Sequence, residues 1–185
     1  MRRILGVDLR DKTLGLTIIE SRFRIARPSR SEELALPAGK DERDSSILEA
    51  FKRWKAEYSP DGIVLGIPSQ RFSYQVIDMP VMSRDDLRKA LVFELEKYLP
   101  LSVDEYLFDF LTAAREGETV RVIVLSVKKD LINELLNYAK AADLQVLGIR
   151  CSTMEAVGSF LGSAGKKHVN GVFVNITEDS VEVVG

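Results

Sequence analysis

Hydrophobic and polar positions alternate along Ile4–Leu9 and again along Leu14–Ile19, with the polar tetrad Arg10-Asp11-Lys12-Thr13 between them. A period of two predicts two strands of a hairpin at the start of the chain. A third, weaker strand is expected around Glu33–Leu36. Ser46 and Glu49 then stand at capping-box spacing, and Ile47, Phe51, Trp54 and Tyr58 recur at the spacing that lines one face of a helix. Pro60-Asp61-Gly62 stops that helix. Ile63–Ile67 has no polar alternation, as expected of a strand covered on both faces.

The pattern restarts at Ser73. It predicts a strand over 74–79, a helix over 83–99, a strand over 106–114, a turn over 115–118, a strand over 120–127, a helix over 130–142 and a strand over 145–149. This β-α-β-β-α-β order predicts a two-layer unit inserted over 73–149. On its first helix Leu87, Leu91, Val92, Leu95, Tyr98 and Leu99 share one face and are expected to pack on the sheet, whereas Phe93 falls among Lys89, Glu96 and Lys97. Ser152 and Glu155 open a further helix through Leu161, closed by 162–165, and a final hairpin is expected over 171–184.

The two ends of the chain repeat each other. Val7–Leu16 aligns without a gap with Val174–Val183, pairing Asp8 with Asn175, Asp11 with Glu178 and Thr13 with Ser180. Both copies fall in predicted hairpins, so the fold class is α/β (α+β) with two lobes opening on one plan. The first lobe is expected over 1–72 plus 150–166, the insert over 73–149, and the opening hairpin of a second lobe, only begun at Gly185, over 167–185.

Composition narrows the class. With 185 residues, 45% apolar and 29% charged, the chain has the make-up of a globular protein. Its 26 basic and 28 acidic side chains leave a net charge of −2 and no basic run, which argues against binding nucleic acid through phosphate neutralisation. No apolar stretch approaches the roughly 20 residues of a membrane helix, and Asp8 follows the N-terminal arginines too soon for a signal peptide, so the chain is expected to stay in the cytoplasm. The single Cys151 reads as a small buried hydrophobe.

Three features carry a family likeness. Val76-Ile77-Asp78-Met79-Pro80 ends a strand in an apolar residue and proline; Glu94-Leu95-Glu96-Lys97-Tyr98-Leu99-Pro100 ends the next helix; an aspartate, Asp109, follows in the next strand. This arrangement resembles the PilM family of type IV pilus assembly proteins and its relative GspL of type II secretion, within the actin-like superfamily that also holds FtsA. The resemblance implies an actin-like, ribonuclease-H-like first lobe with an inserted two-layer subdomain. It implies a cytoplasmic scaffold or adaptor at the bacterial inner membrane, binding a PilN-like tail, or a GspE-like ATPase and a GspM-like subunit. An extended partner tail is implied in a groove between the first lobe and the inserted subdomain, and Met79, Pro80, Tyr98 and Pro100 belong to the family motif. Phe93 is added as an exposed aromatic suited to anchor a partner. An unfinished second lobe also favours strand exchange between copies in a homo-oligomer.

Phosphate hairpins of that superfamily use Asp-x-Gly followed by Ser or Thr, because glycine lets backbone N–H groups approach phosphate while the aspartate holds a metal-bound water. Here Asp8 and Thr13 are present but Arg10 stands at the glycine position, and in the second copy the two positions are Asn175 and Thr177. The expectation is a degenerate site, with no cofactor for this chain, ATP and Mg²⁺ left to the full-length protein, and a nucleotide-dependent actin-like ATPase or filament former as the alternative. Arg10 binding phosphate by charge, aided by Thr13 and Ser180, is the counter-reading. No catalytic residue and no metal cluster is expected. His168 lacks a carboxylate neighbour in sequence, and Glu94 and Glu96 point to opposite sides of their helix.

Overall fold

The computed structural model describes residues 2–23, 25–163, 171–177 and 181–184; His168, the expected helix closure over 164–165 and the tip of the last hairpin with Ser180 lie outside them. The strands are β1 (Arg2–Leu9), β2 (Thr13–Arg22), β3 (Ile25–Ala35), β4 (Gly62–Ile67), β5 (Phe72–Pro80), β6 (Tyr106–Glu116), β7 (Thr119–Lys128), β8 (Val146–Cys151), β9 (Phe173–Ile176) and β10 (Val181–Val184). The helices are α1 (Lys40–Tyr58), α2 (Arg84–Leu95), α3 (Lys129–Ala141) and α4 (Ser152–Ser163). The chain divides into two units, Met1–Ser69 with Leu135–Gly185, and Gln70–Glu134.

The first unit holds a five-stranded sheet in the order β3-β2-β1-β4-β8. The first three strands are antiparallel, and β1, β4 and β8 run parallel. Leu5 faces Ile18, Val7 faces Leu16 and Leu9 faces Leu14, and all six are buried, so the period of two builds one apolar face. Helix α1 covers it with Ile47, Phe51 and Trp54, and Trp54 Nε1 donates to Glu32 Oε2 at 3.0 Å on the strand beside Leu16. The Tyr138 hydroxyl donates to Asp44 Oδ1 at 2.6 Å, setting α3 beside α1.

Two expectations for this unit change. Helix α1 begins at Lys40 rather than at the Ser46 capping box; Gly39 is its N-cap without a side-chain hydrogen bond, Asp41 and Glu42 supply the negative charge a helix start favours, and Ser46 Oγ donates back to Glu42 O at 2.8 Å inside the helix. Strand β3 runs over 11 residues rather than four, because an exposed edge strand needs no apolar alternation.

The second unit is a three-stranded antiparallel sheet, β5-β7-β6, covered by α2. Ser83 caps α2, its hydroxyl accepting from the Asp86 amide at 3.2 Å. Leu87, Leu91 and Leu95 pack with Ile77, Met79, Phe110, Val122 and Val124 in one core. The insert is shorter than expected: β8 joins β4 in the first sheet, so the inserted piece is β-α-β-β and ends within α3. Regular helix also stops at Leu95, and a tight turn, with the Tyr98 and Leu99 amides both donating to Leu95 O, buries Leu99 and leaves Tyr98 half-exposed rather than packed. Gly117, at φ 61°, makes the turn between β6 and β7.

The β6 edge is covered by α2. Arg88 Nη1 donates to Phe108 O at 3.3 Å and Arg84 Nη2 to Phe110 O at 3.5 Å, with the guanidinium of Arg84 4.6 Å from the Phe110 ring centre. Filling the outward carbonyls of an edge strand with arginines removes a template for unwanted pairing.

Strands β9 and β10 form a separate hairpin within the first unit, and its register supports the repeat. Asp8 faces Gly15, Val7 faces Leu16 and Leu9 faces Leu14 in the first hairpin; Asn175 faces Glu182, Val174 faces Val183 and Ile176 faces Val181 in the second. Each pair occupies the place its aligned counterpart does. Among the described residues no helix is long and apolar enough to cross a membrane.

Candidate functional site

In the first unit the carboxyl ends of β1, β4 and β8 lie side by side, Asp8 opposite Gly66 and Gly66 opposite Arg150. This end of a parallel sheet is where α/β folds place ligands. A two-residue turn, closed by the Arg10 amide donating to Thr13 O at 3.0 Å, leads out of β1, and α4 starts directly after β8. The sequence-predicted residues Asp8, Arg10 and Thr13 are therefore brought together.

Their geometry is closed. Asp8 Oδ2 accepts from Arg10 Nε at 2.8 Å, and Asp8 Oδ1 accepts from the Ser152 hydroxyl at 2.5 Å. Arg10 is only 9% exposed, and its backbone carbonyl accepts from Arg43 Nη2 at 3.0 Å. The Arg10 side chain thus folds back on the carboxylate two residues before it. Thr13 contributes its carbonyl to the turn. Ser152, expected only as a helix cap, is the second ligand of Asp8, and it comes that close because Gly66 has no side chain.

The second hairpin is closed by a different charge. Glu182 stands at the position of Gly15 in the repeat, and its carboxylate is buried. Oε1 accepts from the Ser69 hydroxyl at 2.5 Å and the Ser69 amide at 3.1 Å, and Oε2 accepts from Asn175 Nδ2 at 2.8 Å. Burial pushes the Glu182 carboxyl up, but the hydrogen bonds led by Ser69 outweigh it and hold the group below the usual glutamate range. An ionised carboxylate there repels a phosphate. Burial raises the half-exposed Cys151 thiol, which keeps it out of the reactive range.

A group with a lowered folded value contributes stability above its unfolded value and loses it as pH falls through the folded one. Glu182→Gln is therefore expected to cost about 1 kcal/mol at neutral pH. The gap to the parent chain should close as pH drops through the lower end of the glutamate range, read as paired urea unfolding curves.

Glu182, Ser69 and Ser152 were not among the sequence candidates. The signal for Glu182 was present in the repeat, which sets it against Gly15. Of the proposed partner residues, Phe93 is 70% exposed as expected, Pro80 and Pro100 are exposed and Tyr98 is half-exposed. Met79 is buried in the second unit's core, so its side chain packs on α2 rather than facing a partner. Among the described residues no group of three or more His, Cys, Asp or Glu side chains is placed to hold a metal ion.

No protein-family model matches the sequence, and no curated protein does. Solved structures do. A chain of the PilM–PilN type IV pilus biogenesis complex matches 92% of this chain and 53% of its own length, with a TM-score of 0.77 and 17% identity. The cytoplasmic domain of EpsL, an inner membrane component of the type II secretion system of Vibrio cholerae, matches 98% of this chain and 66% of its own, with a TM-score of 0.70 and 16% identity. A protein of unknown function with an actin-like ATPase fold from Bacteroides thetaiotaomicron matches 98% and 64%, with a TM-score of 0.52 and 11% identity. This chain spans between about half and two-thirds of the length of each. At these identities the likeness establishes architecture: the chain shares its fold with these three proteins, the last of which has the actin-like fold.

Proposed function

We propose that this chain is part of a scaffold or adaptor subunit of a bacterial inner-membrane platform for type IV pili or type II secretion, on the cytoplasmic side, rather than an enzyme. The observation that carries the reading is that both hairpins of an actin-like fold are closed from within, Asp8 by Arg10 and Ser152, Glu182 by Ser69 and Asn175. Hairpins whose charged groups are already paired within the chain suit a static support. The partners are protein segments at the membrane: a PilN-like cytoplasmic tail, or a GspE-like ATPase with a GspM-like subunit. Phe93, with Tyr98 and Pro100 beyond the helix end, offers the exposed contact surface.

One observation favours a second reading, a nucleotide-binding actin-like ATPase or filament former. Arg10 Nη1 is buried and meets no hydrogen-bond partner among the described residues, a donor left over for an oxyanion. Calorimetry on the full-length gene product separates the two. The scaffold reading expects heat on adding the partner tail and none on adding ATP with Mg²⁺. Binding to neither tail nor secretion ATPase overturns it, and ATP heat that disappears in Asp8→Asn installs the second reading.

A further inference from the structure

Antiparallel geometry fixes which backbone groups of the second unit's edge strands face outward. Arg88 and Arg84 reach the carbonyls of Phe108 and Phe110, so those residues point away from β7. Leu107, Asp109 and Leu111 then bond to Val127, Leu125 and Ile123, because the two sets alternate along a strand. The intervening Ser126, Val124 and Val122 must turn to β5 and bond to Ser73, Gln75 and Ile77. The Val81 amide, donating to Glu118 O at 2.9 Å, is in the same phase. Phe72, Tyr74, Val76 and Asp78 therefore direct their N–H and C=O groups outward. Pro80, which has no N–H to give, falls on that side as well.

The two edges of this sheet are treated differently. Arginines reach two outward carbonyls of β6, those of Phe108 and Phe110, whereas among the described residues no hydrogen bond reaches the outward groups of β5. The outward residues of β5 also carry exposed apolar side chains, Val76 at 57% and Tyr74 at 48%.

We propose that β5 is a self-pairing edge, at which two copies of this chain join antiparallel about a two-fold axis through Val76 and merge their three-stranded sheets. Val76 is the midpoint of Phe72–Pro80, so this register alone overlaps the whole strand. It sets Val76 against Val76, Tyr74 against the other copy's Asp78, and Phe72 against the other copy's Pro80. No like charges meet, whereas the register centred on Asp78 brings two carboxylates together. Asp78 is held by Arg121 at 2.9 Å, and the Tyr74 ring arrives beside that ion pair, where a guanidinium favours an aromatic face. An isologous contact needs a surface that complements itself, and this strand does. The inference does not rest on the role assigned above.

Sedimentation velocity over a concentration series tests it. The weight-average mass is expected to climb from 20.7 kDa toward twice that value. Val76→Pro removes an N–H that faces outward and leaves the β5–β7 ladder whole, so it should weaken the dimer about tenfold with an unchanged thermal melt. Val76→Cys in a Cys151→Ser background should give a disulfide dimer under mild oxidation, because α-carbons of a hydrogen-bonded antiparallel pair lie about 5.5 Å apart, within disulfide reach. A chain that stays monomeric overturns the proposal, including one whose β5 amides are protected only by an added extended peptide. So does a dimer that Val76→Pro leaves unchanged and that Val76→Cys does not cross-link.

Discussion

Asp8→Ala is expected to destabilise the chain by about 2 kcal/mol in urea unfolding, because it strips a buried guanidinium of its ion partner and the Ser152 hydroxyl of its acceptor. The sign carries the meaning. An acidic group kept for ligand chemistry is a local liability, and its removal leaves the empty protein equally or more stable. A carboxylate that has become an internal structural anion does the opposite. The double variant Asp8→Ala, Arg10→Leu removes the buried charge along with its partner, so it should recover part of the loss, giving a coupling of about 1 kcal/mol between the two sites. A stabilising Asp8→Ala, or zero coupling, would mean that the Asp8–Arg10 contact contributes nothing to the fold and would reopen the first hairpin as a ligand site. The measurement needs no partner and no nucleotide.

How far the site was legible follows from what each part asks of its residues. The β1–β2 hairpin could be read because a half-buried strand writes its period of two into the sequence, from Leu5 to Ile18. The apolar face of α2 and its Ser83 cap could be read for the corresponding reason at helical spacing. Strand β3 could not, since an exposed edge of Arg, Ser, Pro and Glu buries almost nothing and is specified by its neighbour β2. The Ser46–Glu49 pair misled because a capping box is a local pattern, and a serine inside a helix satisfies itself on the preceding turn. Strand β8 reads as part of the insert because order along the chain does not say which sheet a strand joins. Ser152 and Ser69 were invisible for a related reason: they reach Asp8 and Glu182 from 144 and 113 residues away, through chain reversals that leave no local trace. Glu182 was the one recoverable case, since the end-to-end repeat carries it to Gly15 and the cross-strand register then sets it against Asn175.

Two glycines should respond to alanine with opposite signs. At Gly66 a β-carbon would lie 2.6 Å from Ser152 Oγ and 2.8 Å from the Val7 carbonyl oxygen. The serine can rotate away, at the cost of its hydrogen bond to Asp8; the carbonyl belongs to β1, paired in parallel with β4, and yields only if the strands separate. Gly66→Ala is therefore expected to cost about 3 kcal/mol, and Gly66→Val more, with the loss concentrated at the carboxyl ends of β1 and β4. Amide exchange should report it as faster exchange near Asp8 and Gly66. At Gly158, within α4, an added β-carbon meets nothing within 4 Å, so Gly158→Ala should raise stability by about 0.5–1 kcal/mol through helix propensity and a less flexible unfolded chain. If Gly66→Ala proved neutral, the close approach of β1, β4 and α4 at Gly66 would not exist in solution, and Asp8 would be open to solvent on the side where Ser152 holds it.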